Sequence, residues 1–238
     1  MTLAERIIRS PWRTSLYCAT ATLAFIIACY QLFLLACVLC YAVFNPSSTA
    51  FMRAQQWQTG QVISQQWRDY AQLGNPIKRA VLASEDTRFF THNGVEWEYI
   101  WKAFKYNLQQ IVQGKPTRRG GSTITQQLAK NLFLSPSRSY FRKLQELSIT
   151  YMLEAVMSKQ RILELYLNTA EFGHNLYGAA AASQYYFKKA PAQLTGAQAA
   201  RLAVLLPNPD YYGAHINGPY ITRQSRVVVR RMGQVKLP

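Results

Sequence analysis

Acidic side chains are scarce in this chain. Eleven Asp and Glu stand against 27 Lys and Arg in 238 residues, giving a formal net charge of +16 and a sequence pI near 9.9. An excess of that size goes beyond what solubility requires and implies an anionic partner: a nucleic acid, an anionic lipid or a phosphorylated substrate. Glycine and proline are also few, at 12 and 10. No segment repeats at a fixed period, so collagen-like, low-complexity and solenoid architectures are excluded. Hydrophobic residues still make up 49% of the chain, which is too apolar for intrinsic disorder and enough for one sizeable core.

Cysteine is absent from most of the chain. Cys18, Cys29, Cys37 and Cys40 all fall within one apolar run. The remainder therefore carries no disulfide, thiolate zinc site or cysteine nucleophile. Cys37 and Cys40 have the spacing of a redox or zinc pair, but in lipid they lack a base and further ligands, so the pair reads as structural. No Asp, Glu, Lys, Arg or His lies between Arg13 and Arg53. The run exceeds the roughly 20 residues of a spanning helix, and also the roughly 7 to 15 of a signal-peptide core. Residues 16–44 are thus expected to form an uncleaved transmembrane anchor. Arg6, Arg9 and Arg13 precede it, opposed only by Glu5. By the positive-inside rule, residues 1–15 are expected in the cytoplasm and residues 45–238 on the outer side of the inner (cytoplasmic) membrane, after a single pass. The outer part then carries +14 of the charge. Chromosomal nucleic acid is absent from that side, so membrane lipids and lipid phosphates become the expected partners and nucleic acid does not.

Beyond the anchor, helical signals dominate and no alternating strand is evident, so the fold class is expected to be mainly α. Asn45 to Thr49 reads as a turn, and residues 51–72 as a polar-faced helix whose Trp57 and Trp67 sit at the interface or pack as core. Helices follow over residues 77–84, leading into Glu85 and Asp86, and over 97–112, before a basic turn at Arg118 to Gly121. Thr123 and Gln126 have capping-box spacing, with Ile124, Leu128 and Leu132 at helical intervals. Ser122, Gln126 and Lys130 recur every four residues and are expected to line one side of that helix. Over residues 140–158, Leu144, Leu147 and Tyr151 form the expected core stripe, with Arg142 and Glu146 on another face. Helical stretches are expected over 159–168 and 179–186, and a last capping-box pair, Thr195 with Gln198, opens a helix that Pro207 stops. Arg223, Arg226, Arg230, Arg231 and Lys236 end the chain without an acid. They form either a solvated basic helix or a footprint on anionic lipid.

Few residues offer chemistry. His92, His174 and His215 have no metal-ligand spacing, and G-x-S-x-G, P-loop and G-x-G-x-x-G patterns are all missing. Carboxylates remain. Glu85 lies beside Asp86 and ahead of Phe89, Phe90 and His92, where apolar neighbours would raise its pKa toward that of a general base. It could equally cap a helix or pair with Arg88. Glu146 follows Arg142 by one helical turn, and the two are either part of a site or a surface pair worth about 0.3–0.5 kcal/mol.

Read in order, E-D-x-x-F-x-x-H-x-G from Glu85 to Gly94, GGSTITQQ from Gly120 to Gln127 with Lys130 and Asn131, and R-K-x-x-E from Arg142 to Glu146 resemble the successive motifs of the peptidoglycan glycosyltransferases. ILELYLN with Glu171, Phe172 and Gly173, and Leu205 to Asn208, resemble two further motifs of that family. Glu96 departs from it, standing where many members have Asp. The resemblance implies a lysozyme-like helical domain over residues 45–238. It also implies polymerisation of lipid II onto a polyprenyl-pyrophosphate-linked glycan, with inversion to a β-1,4 bond in cell wall biosynthesis. On the same ground Glu85 and Glu146 are the expected catalytic residues. Ser122, Gln126, Lys130 and Arg142 are the expected substrate-binding residues, and a divalent ion, Mg or Mn, is the expected cofactor. No S-x-x-K or K-T-G pattern is present, so cross-linking is expected of a separate transpeptidase or division partner. A membrane-anchored lytic enzyme and a non-catalytic anchor are the competing readings.

Overall fold

A computed structural model describes residues 11–114, 120–137 and 139–238. Arg6 and Arg9, and with them most of the expected cytoplasmic segment, lie outside the described residues, as do Arg118 and Arg119 of the expected basic turn. The chain divides after Phe44 into two units. The first is one helix, α1 (Pro11–Val43), whose residues Thr14–Val43 include an 18-residue stretch of mean hydropathy 2.5 and have the length to cross a membrane. It is apolar on every side and largely exposed, as a lipid-facing helix is and a soluble core helix is not.

The second unit, Asn45–Pro238, is mainly helical. In order it contains α2 (Ala50–Thr59), β1 (Ser64–Gln65), α3 (Asn75–Glu85), α4 (Trp97–Val112), α5 (Ile124–Phe133), α6 (Tyr140–Val156) and α7 (Lys159–Thr169). Then come β2 (Glu171–Gly173), β3 (Leu176–Tyr177), α8 (Ala179–Phe187), α9 (Gly196–Leu205), α10 (Pro209–Ala214) and α11 (Pro219–Met232). The helices begin where side-chain oxygens can take orphan amide protons. Thr123, Ser139, Ser158 and Thr195 each accept from the amide three residues on, and at Thr123 and Thr195 a Gln returns the bond to complete a capping box. Two packing groups form the core. α9 lies across α3 and α11, burying Ile77, Val81, Leu202, Leu205 and Val228. α5 lies against α6 and α7, burying Leu128, Ile149, Leu153 and Ile162. Each such side chain contributes about 1.5–3 kcal/mol relative to exposure.

Three expectations need correction. The helix expected over 51–72 stops at Thr59, because Gly60 takes a left-handed conformation (φ 66°) and returns its amide to Gln56. Within that stretch Trp57 is exposed, while the guanidinium of Arg161 stacks over the Trp67 ring at 5.7 Å. Strands are also present: β3 pairs parallel with β1 and antiparallel with β2. Strands of two or three residues are too short to show alternation in a sequence. In α6, Leu144 and Tyr151 are exposed, and the buried face instead carries Glu146, Ile149, Thr150 and Leu153. Apolar spacing pointed to the wrong face because this helix turns an acid inward.

Candidate active site

Glu85 is the last residue of α3, and a network just beyond it fixes its position. Asp86 is 5% exposed and accepts the backbone amide of Ile124, in the first turn of α5, at 3.1 Å. His92 Nε2 also meets both Asp86 oxygens at 3.0 Å. The Gly94 amide donates to His92 Nδ1 at 3.0 Å, so Nε2 carries the proton shared with Asp86. Gly94 has φ 83°, and its carbonyl accepts from the Thr123 hydroxyl at 2.6 Å. A Cβ there would lie 2.6 Å from Glu154 Cγ, so only glycine lets this turn close on α6. The first motif is thereby pinned to the N-terminus of α5.

Glu85 does not pair with Arg88, which reaches Glu96 at 3.4 Å instead. Its Oε2 accepts from Gln127 Nε2 at 2.8 Å, and Gln127 Oε1 accepts from the Tyr166 hydroxyl at 2.9 Å. Tyr166 is 1% exposed on α7, so the amide is held from behind. Burial pushes the Glu85 carboxyl above the usual carboxylate range, and the Gln127 and Ser84 hydrogen bonds partly oppose it. A carboxylate with a raised pKa holds a captured proton more firmly than a solvated one, as a general base requires.

The second carboxylate sits among cations. Glu146 is 3% exposed, so the surface-pair reading of Arg142 with Glu146 fails. Arg142 Nη1 meets its Oε2 at 2.9 Å, and Lys143 Nζ holds the other oxygen and also reaches Ser122 Oγ at 3.3 Å. Lys130 on α5 faces this group, and its pKa is lowered by burial and by the neighbouring Arg142 and Lys143, with Glu146 opposing. Three cations therefore surround one acid. Arg142 Nε is buried without a partner among the described residues. A buried guanidinium N–H left unmatched costs about 1–3 kcal/mol, and an anion bound here would supply its acceptor.

Glu85 lines one concave surface, and its partner Gln127 lines another. One pocket of about 110 Å³ is lined by Glu85, Glu96, Tyr99, Gly121 and Ser122. Another of about 180 Å³ is lined by Phe51, Gln127, Lys130, Tyr166, Glu171, Tyr177 and Pro207. Ser122, Lys130, Arg142, Glu146 and Glu85 thus converge on one region. Gln126 does not join them: it is 1% exposed and spends its side chain on the Thr123 amide in the capping box. The expectation that it lines the cleft is corrected to Gln127, one position on. Of the two adjacent glutamines only the capping one carried a sequence signal, and that signal marks it as structural. Lys143 was also missed: it stands within R-K-x-x-E, but apart from that resemblance nothing distinguishes it from a solvated lysine.

Neither Glu146 nor the cluster of Asp86, His92 and Glu96 leaves a group free for a resident divalent ion. Both Glu146 oxygens are taken by Arg142 and Lys143. Asp86, His92 and Glu96 bring ligand atoms within 4.8 Å of one another. However, both His92 ring nitrogens are engaged, Asp86 holds His92 and the Ile124 amide, and Glu96 holds Arg88. Each group in that cluster already has a partner, and the cluster serves to fix the first motif.

Comparison with known proteins agrees with this arrangement. A family model described as Transglycosylase matches residues 52–233. Proteins named biosynthetic peptidoglycan transglycosylase are similar to it throughout. That of Bordetella pertussis is 49% identical over 88% of both chains, and that of Bordetella avium 50% identical over 88% of this chain and 89% of its own. That of Paraburkholderia xenovorans is 46% identical over the full length of both. With the family model covering nearly all of the helical unit and identity near one half over most of the sequence, the chain belongs to the transglycosylase family of glycosyltransferases.

Proposed function

We propose that this chain is a membrane-anchored polymerase of peptidoglycan strands. It joins a polyprenyl-pyrophosphate-linked glycan to the 4-hydroxyl of lipid II. The acceptor oxygen attacks the anomeric carbon, Glu85 takes the hydroxyl proton, and the bond to pyrophosphate breaks with its electron pair leaving on the phosphate oxygen. Attack opposite the leaving group inverts the centre to a β-1,4 bond. Gln127, held by Tyr166, aims the base. Lys130, Arg142 and Lys143 face the departing charge, with Ser122 beside them, and Glu146 positions the two cations of α6.

The observation that carries this reading is the unpaired, buried Arg142 Nε within a cation cluster close to a carboxyl of raised pKa. A pyrophosphate meets that need. A lytic enzyme cleaving finished strands handles no anionic leaving group and leaves the cluster without a use. On the sequence side, α1 anchors the chain and the arginines before it set the catalytic unit on the outer face of the inner membrane. We assign no cross-linking step to a chain without S-x-x-K or K-T-G patterns. The test incubates the full-length protein separately with labelled lipid II and with purified sacculi. Glycan ladders from the first and no soluble fragments from the second are expected. Fragments without ladders would establish the lytic reading instead.

A further inference from the structure

Glu171, the first residue of β2, has no part in the mechanism above, yet it lines the same pocket as Gln127 and Lys130. Tyr177 lines the pocket beside its carboxyl, while Oε1 is buried with no partner among the described residues. The same pocket is also lined by apolar Phe51, Leu206 and Pro207. At about 180 Å³ the pocket is smaller than those that enclose whole drug-sized ligands, so it receives part of a larger molecule. Apolar side chains and an unpaired polar atom in one small pocket match an acetamido group, which offers a methyl and a carbonyl together.

We propose that Glu171 is a specificity-determining residue that hydrogen-bonds the acetamido carbonyl of an N-acetylated amino sugar, whose methyl packs against Leu206 and Pro207. This rests on the polymerase reading and names the chemistry that the reading leaves open at this pocket. A carbonyl offers no proton, so Glu171 must supply it. The groups that set its charge come from four elements: Tyr177 on β3, His174 in the β2–β3 turn, Asp210 on α10 and Lys130 on α5. Burial and Asp210 raise the carboxyl to about 7, against the pull of His174, Tyr177 and Lys130. Below that pH Glu171 is a donor; above it the charged form repels the carbonyl. The arrangement therefore makes sugar binding weaken as pH rises through neutrality.

The test measures KM and kcat for lipid II polymerisation by the full-length protein between pH 6 and 8.5, for wild type, Glu171→Gln and Glu171→Ala. For wild type, KM should rise about five- to tenfold with a midpoint near 7, the range expected for losing one hydrogen bond. In Glu171→Gln, whose amide donates at every pH and whose shape is unchanged, KM should stay low and flat. In Glu171→Ala it should be high throughout. Lipid II with its amino sugars N-deacetylated should raise KM for wild type but not further for Glu171→Ala, a non-additive pair. Parallel KM profiles for wild type and Glu171→Gln, or additive effects of deacetylation and Glu171→Ala, would overturn the assignment while leaving the polymerase intact. If wild type made no polymer at any pH, the polymerase reading itself would fall. A role confined to holding Tyr177 would change stability but would not flatten the pH profile of KM.

Discussion

At the scale of single residues, the site works by giving chemically similar side chains different surroundings. Three of the glutamates in or beside the cleft show this. Glu85 is desolvated and held by an amide, Glu146 is clasped by two cations, and Glu171 is desolvated with one oxygen unmatched. In the proposed mechanism environment, not residue type, therefore separates base, positioning group and recognition group. The Gln127 hydrogen bond lowers the Glu85 pKa, so Gln127→Met, which keeps volume and loses the bond, should raise it. A base must be deprotonated to act, so the rising acid limb of the kcat profile should move to higher pH. An unmoved limb, measured on lipid II, would detach Gln127 from the base. The sequence pointed to Glu85 and Glu146 through motif order, and its capping-box spacing already marked Gln126 as structural. It gave no local signal for Gln127, whose role depends on meeting Glu85 and Tyr166 once α3, α5 and α7 have packed.

At the scale of elements, short buried hydrogen-bond networks hold the motifs in place. Asn168, at the end of α7 and fully buried, accepts the Arg68 amide and donates to the carbonyls of Arg68 and Glu164, each at 2.8 Å. It ties the segment after β1 to the helix that carries Tyr166. Asn168→Ala strands those backbone groups and should cost about 2–3 kcal/mol, read as a lower urea midpoint at unchanged m-value. A cost below about 0.5 kcal/mol would mean that water replaces the side chain. Two helix starts were legible because caps are local: Thr123 and Thr195 sit where their chemistry requires. The inward face of α6 was not legible, since Glu146 is buried only because Arg142 and Lys143 on its own helix neutralise it. The three-stranded sheet depends on pairing over more than a hundred residues between β1 and β3, which no local pattern encodes.

At the scale of the whole molecule, the excess of positive charge has two destinations. Lys130, Arg142 and Lys143 serve the cleft, whereas Arg223, Arg226, Arg230 and Arg231 stand exposed on α11, whose other face is buried on α9 and α3. Residues 45–238 have their own core and should fold when produced alone, binding anionic vesicles in a salt-dependent manner. Replacing Arg226, Arg230 and Arg231 with Gln should weaken that binding by up to about 1 kcal/mol per residue at low salt, with little change in Tm. Equal binding by the variant would make α11 merely a solvated face. The central claim, however, is that one desolvated carboxyl beside a cation cluster builds a glycan strand, and this is tested most directly by full-length wild type and Glu85→Gln with labelled lipid II, resolved by gel. Wild type should give a ladder of glycan chains, and Glu85→Gln, folded and still able to bind lipid II, should give none. A ladder of comparable yield from Glu85→Gln would contradict the assignment of the base and with it the mechanism proposed for this cleft.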